Sequence, residues 1–108
     1  MTTVELVKVI GDVLTLLDMI LADPNFPPSD PQWQQVYALR KHLDDLQRRL
    51  VTAEIDLSTT RYEHATDQLK TADKDLKAIG ADIAKVASVI SIASTVASVV
   101  DSVLSLAK

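Results

Sequence analysis

The stretch ADIAKVASVISIASTVASVVDSVLSLA, residues 81–107, decides the class of fold. Serine and threonine recur in it at Ser88, Ser91, Thr95, Ser98, Ser102 and Ser105. Steps of three and four place all six in one stripe of an α-helix. The remainder is almost wholly Val, Ile, Leu and Ala, and no charge stands between Lys85 and Asp101. A helix with so wide an apolar arc and so mild a polar face needs partners on more than one side. The stripe has two readings: small residues allow a neighbouring helix to approach closely, or they keep one face wet without charge. Close packing is the reading preferred from sequence.

Composition agrees with an all-α chain. Its 108 residues correspond by length to a single helical domain, 1–108. Hydrophobic residues make up 47%, enough for a packed core, while aromatics are confined to Phe26, Trp33, Tyr37 and Tyr62. Two glycines and four prolines leave little turn chemistry for a β-sandwich or barrel. The absence of cysteine removes disulfides, thiolate catalysis and zinc-thiolate sites together. Net charge is −4, and the excess of acid lies in residues 1–31, where Lys8 alone opposes five carboxylates. No segment is basic enough to hold a phosphate backbone, so no nucleic-acid partner is expected. The N-terminus has no basic region, and Glu5 and Asp12 interrupt its apolar run, which argues against a secretory signal and for a cytoplasmic protein.

Punctuation divides the chain. Helix 1 is expected over about 3–22, with a narrow polar stripe of Glu5, Lys8, Asp12, Thr15 and Asp18. Residues 23–31 hold all four prolines and read as a rigid turn; Asp30 followed by Pro31 is an N-cap followed by proline in the first helical position. Helix 2 is expected over about 31–79 as one long coiled-coil-like element. Its seam runs Val36, Leu39, Leu43, Leu46, Leu50, Ala53, Leu57, then resumes in shifted phase at Tyr62, Ala65, Leu69, Ala72, Leu76, Ile79. On its outer face Arg40–Asp44–Arg48 and Lys41–Asp45–Arg49 form i, i+4 ladders. A turn at Gly80 leads into helix 3, about 81–107. The sequence Ser58-Thr59-Thr60, with Glu63 completing a capping box, marks an alternative break that would give a compact four-helix bundle.

A single narrow seam on helix 2 cannot cover two helices that each present an apolar arc of about 150°. Helix 3 alone carries eleven Ile, Val and Leu residues, and burying an aliphatic side chain is worth about 1.5–3 kcal/mol. Three outcomes satisfy that surplus: self-association, a bend near Thr59 that closes a four-helix bundle, or burial in a membrane or a larger partner. The residues expected at the core or interface are Ile83, Val86, Ile90, Val96, Val100 and Leu104 of helix 3, with Leu14 and Leu17 of helix 1.

Site chemistry is sparse. His42 shares a helical face with Asp45, and His64 with Asp67 and Gln68, but a metal centre needs three or four converging ligands. Both histidines read as solvated groups, and no metal, cofactor or catalytic residue is expected. Asp44, Asp45, Asp73 and Asp75 have basic neighbours within a turn and read as surface pairs rather than a catalytic dyad. The uncharged run 86–100 spans about 22 Å at 1.5 Å per residue, short of the ~30 Å bilayer core. The function expected from sequence is a non-enzymatic assembly or adaptor module that self-associates or binds a partner helix. The alternative is a membrane-active protein whose helix 81–107 enters lipid.

Overall fold

Short polar side chains cap the starts of three of the four α-helices. In the computed structural model, which describes residues 1–107, α1 spans Thr3–Leu21 and starts with a capping box. The Thr2 hydroxyl accepts from the Glu5 backbone N–H at 3.2 Å, and the Glu5 carboxylate accepts from that of Thr2 at 3.3 Å. These bonds favour the ionised carboxylate and lower the pKa of Glu5. α2, Pro31–Thr52, is capped by Asp30, whose carboxylate accepts from the Gln32 N–H at 2.8 Å. α3 spans Thr60–Ile79, and a 3-10 turn at Ile83–Lys85 leads into α4, Val86–Leu104. Lys108, the last residue of the expected domain, lies outside the described residues.

The long helix expected over 31–79 is two helices. Ala53 turns to an extended backbone at ψ 140°. The Asp56 carboxylate then accepts from the Ser58 N–H at 3.0 Å and from its hydroxyl at 2.6 Å, and the Thr59 hydroxyl accepts from the Tyr62 N–H at 3.1 Å. Asp, Ser and Thr offer the backbone these local partners in place of helical ones, so four of them in five residues end a helix without glycine or proline. The N-cap is Thr59, one residue before the capping box expected at Thr60. Seam residue Leu57 consequently lies in the connection and is half-exposed.

The break places α3 beside α1 and α4 instead of in line with α2. Asp18 meets Arg40, and Gln47 reaches the Val7 carbonyl, so α1 and α2 run antiparallel. Tyr62 reaches the Met1 carbonyl and Lys77 reaches Asp12, so α3 runs parallel to α1. Pairing of Ile55 with Ala107 in a single antiparallel bridge fastens the connection to the end of α4. Around the bundle the order is α1, α2, α4, α3, with α2 and α3 at diagonal corners. The molecule measures 44 × 23 × 18 Å.

Inside, the four apolar faces converge. Leu6, Ile10, Leu17 and Ile20 of α1 meet Val36, Leu43, Leu46 and Leu50 of α2 in one cluster. Tyr62, Leu69 and Leu76 of α3 and Val89, Val96, Val100 and Val103 of α4 complete it. Thr66 is the one buried polar side chain among the described residues, and its hydroxyl donates to the Glu63 carbonyl at 2.9 Å. Gly80 ends α3 with φ 68° and ψ −159°, a region essentially confined to glycine.

Tyr62 ties the bundle floor to the chain start. Its buried hydroxyl donates to the Met1 carbonyl at 2.7 Å. Burial raises the phenol pKa above its ordinary 10.0, with the Glu5 charge adding to the effect. A raised folded pKa contributes stability fully present below pH ~10 and lost as pH rises through the folded value. Tyr62→Phe is therefore expected to cost about 0.5–1.5 kcal/mol at neutral pH. Urea melts should show wild type losing this advantage above pH ~10, whereas an unchanged gap at high pH would contradict the assignment.

Candidate functional site

Ion pairs close three of the four seams between neighbouring helices. Arg40 bonds Asp18 at 2.9 Å across α1–α2. His42 Nε2 lies 3.3 Å from Asp101 across α2–α4, and Arg49 lies 3.9 Å from the same carboxylate. Lys77 bridges Asp12 at 3.6 Å and Asp73 at 3.0 Å beside the α1–α3 seam, and Asp73 raises its pKa most. The α3–α4 seam has no such pair among the described residues. It carries instead two adjoining surface grooves of about 410 and 420 Å³ that share Gln68 and Thr95.

The first groove has an α3 wall of His64, Asp67, Thr71 and Asp75. Ala72 and Ile92 supply apolar surface between this wall and Ser91 and Thr95 on α4. The second continues along α4 past Ser94, Ser98, Val99 and Ser102. A further hollow of about 260 Å³ lies between α1 and α3, bounded partly by Leu16, Leu76 and Lys77.

All six hydroxyl residues of the α4 stripe are exposed. Ser91 and Thr95 line the groove opposite α3, and none of the six is buried against a neighbouring helix of this copy. Thr95 and Ser102 donate to the carbonyls four residues back, at 3.2 and 3.1 Å, so part of the stripe satisfies itself on its own helix. The outward side of α4 from Val86 to Val100 contains no charge, unlike the charged outer faces of α2 and α3. The stretch Ile83–Leu104 is also long and apolar enough, by length and composition, to cross a membrane. It is longer than the run weighed from sequence because it takes in residues 83–85 and 101–104, with the charges of Lys85 and Asp101.

Of the residues expected at an interface, Leu14, Leu17, Val86, Val96 and Val100 are buried in this copy's own core. Ile83, Ile90 and Leu104 are partly buried against it. The surplus apolar surface inferred from sequence is thus largely covered within one chain, because the break at 53–59 brings α3 and α4 onto α1 and α2. The charge ladders are mostly formed: Asp44 pairs with Arg40 and Arg48, and Asp45 with Arg49. Lys41 instead lies 5.4 Å from the Tyr37 ring centroid, and Tyr37 stacks on Trp33. His42 bonds across to α4 rather than facing Asp45. Asp73 pairs with Lys77, whereas Asp67 and Asp75 pair with no cation among the described residues.

No cluster of three or more metal-ligating side chains occurs among the described residues. No protein-family model, curated protein or solved structure matches the chain.

Proposed function

We propose that this chain is a non-enzymatic helical assembly module, acting by self-association or by binding a partner helix through its α3–α4 side. The carrying observation is the outward face of α4, where the residues exposed between Val86 and Val100, namely Ala87, Ser88, Ser91, Ser94, Thr95 and Ser98, present no charge beside an open groove. A solvated surface helix ordinarily carries charged residues on its outer side. Serine and alanine there allow a second backbone to come close and leave few charges to strip of water. The other three seams are crossed by ion pairs, and the hollow between α1 and α3 is smaller, about 260 Å³, with Lys77 and its two carboxylates on its rim.

Solution mass by chromatography with light scattering tests this reading. The mass is expected to rise above 11.8 kDa with concentration. Ser94→Arg and Ser98→Arg should each return it to the monomer, with helicity and melting temperature unchanged because both positions are exposed. A strict monomer up to about 1 mM, the limit of weak association, would contradict self-association.

A second reading rests on Ile83–Leu104, which at about 33 Å matches the hydrocarbon core of a bilayer. In it, the hairpin around Gly80 opens and α4 becomes the lipid-facing element, exchanging its contacts with α2 and α3 for lipid. Flotation with anionic vesicles and dye release from acid to neutral pH are expected to show binding under this reading; no lipid association at any pH would rule it out.

A further inference from the structure

Asp67 and Asp75 stand on the rim of the α3–α4 groove, two helical turns or about 12 Å apart along α3. Neither pairs with a cation among the described residues, whereas Asp44, Asp45 and Asp101, the carboxylates of α2 and α4, all do. Between them and α4 the surface is apolar, at Ile92 in the first groove and Val99 in its continuation. An occupant that complements this groove has two cations one to two turns apart and apolar groups alongside them.

The same chain presents such a surface. Tyr37, Lys41, Arg48 and Val51 follow steps of four, seven and three along α2, which puts them on one ridge. Tyr37 is 42% exposed and Val51 66%, two of the five large apolar side chains that are exposed among the described residues. Lys41 and Arg48 are seven residues, about 10.5 Å, apart, close to the spacing of the two carboxylates. Lys41 has the Tyr37 ring as its contact and no carboxylate. Arg48 bonds Asp44 at 3.0 Å, but with 78% of its side chain exposed it can exchange that partner at little cost.

We infer that the α3–α4 groove receives the outward α2 ridge of a second copy of this chain, with Lys41 and Arg48 of one copy meeting Asp67 and Asp75 of the other. The inference rests on the assembly reading and names its partner. Because α2 and α3 occupy diagonal corners, ridge and groove face different sides of the bundle. The interface is head-to-tail, and copies add until a ring closes or a filament continues.

Two charge-reversed variants test it by sedimentation velocity: a groove variant, Asp67→Lys with Asp75→Lys, and a ridge variant, Lys41→Glu with Arg48→Glu. All four positions are exposed, and circular dichroism checks that each variant is folded. Wild type is expected to associate, less so at high salt. Each variant alone should associate at least about tenfold more weakly, and an equimolar mixture of the two should recover association, since reversed ridge then meets reversed groove. A monomeric wild type would overturn both the inference and the self-association arm of the assembly reading. Wild type that associates while both variants associate equally well would overturn the inference alone, as would variants that dissociate but fail to recover on mixing.

Discussion

The slip in apolar phase between Leu57 and Tyr62 is the constraint on which the rest of the structure depends. Extended as one helix, residues 31–79 would carry two seams on different faces, and neither could serve both apolar neighbours. Seven residues of connection, 53–59, resolve the conflict by sending α3 across the bundle end to the corner diagonal to α2. The helical hydrogen bonds given up there are partly replaced by the Asp56 and Thr59 caps. In exchange Tyr62, Leu69 and Leu76 enter a core shared by all four helices.

That crossing also determines what is left outside. α4 gives its valines, Ala93 and Ala97 to the interior and turns serine, threonine and Ala87 to water, so its outward side between Val86 and Val100 is uncharged. The other exterior faces are laced with charge, and three seams are closed by Arg40, His42 with Arg49, and Lys77. Exposed pairs of this kind contribute little stability each. Their larger effect is on what can dock, because a partner must strip or match those charges. The α3–α4 side imposes no such demand along α4 and leaves Asp67 and Asp75 without a cation among the described residues, beside Ala72 and Ile92.

Much of the fold was legible in the residues. Threes and fours of apolar spacing located α1 and α4 but joined α2 and α3 into one helix; Asp30-Pro31 marked the start of α2, and Gly80 marked the end of α3. The break at 53–59 was harder to read because it uses no glycine, proline or asparagine. Its signal was the run Asp56, Ser58, Thr59, Thr60, whose side chains compete for backbone groups, together with the five-residue step in the seam. Core residues such as Leu17 and Val100 were recognisable as apolar anchors, but sequence could not say whether one copy or two would cover them. The groove was invisible at that stage. It depends on which helices meet along a seam, since the crossing of α3 to α4 is what sets Asp67 and Asp75 opposite Ser91, Ile92 and Thr95.

Small-angle X-ray scattering, extrapolated to zero concentration so that single copies are observed, tests the central claim most directly. A chain folded back at 53–59 has a radius of gyration near 14.0 Å and a long dimension near 44 Å, apart from the hydration shell and side chains. A continuous helix over residues 31–79 would alone be about 73 Å long. A compact profile is the result the four-helix arrangement requires, and a rod-like profile with a maximum dimension beyond about 70 Å would contradict it.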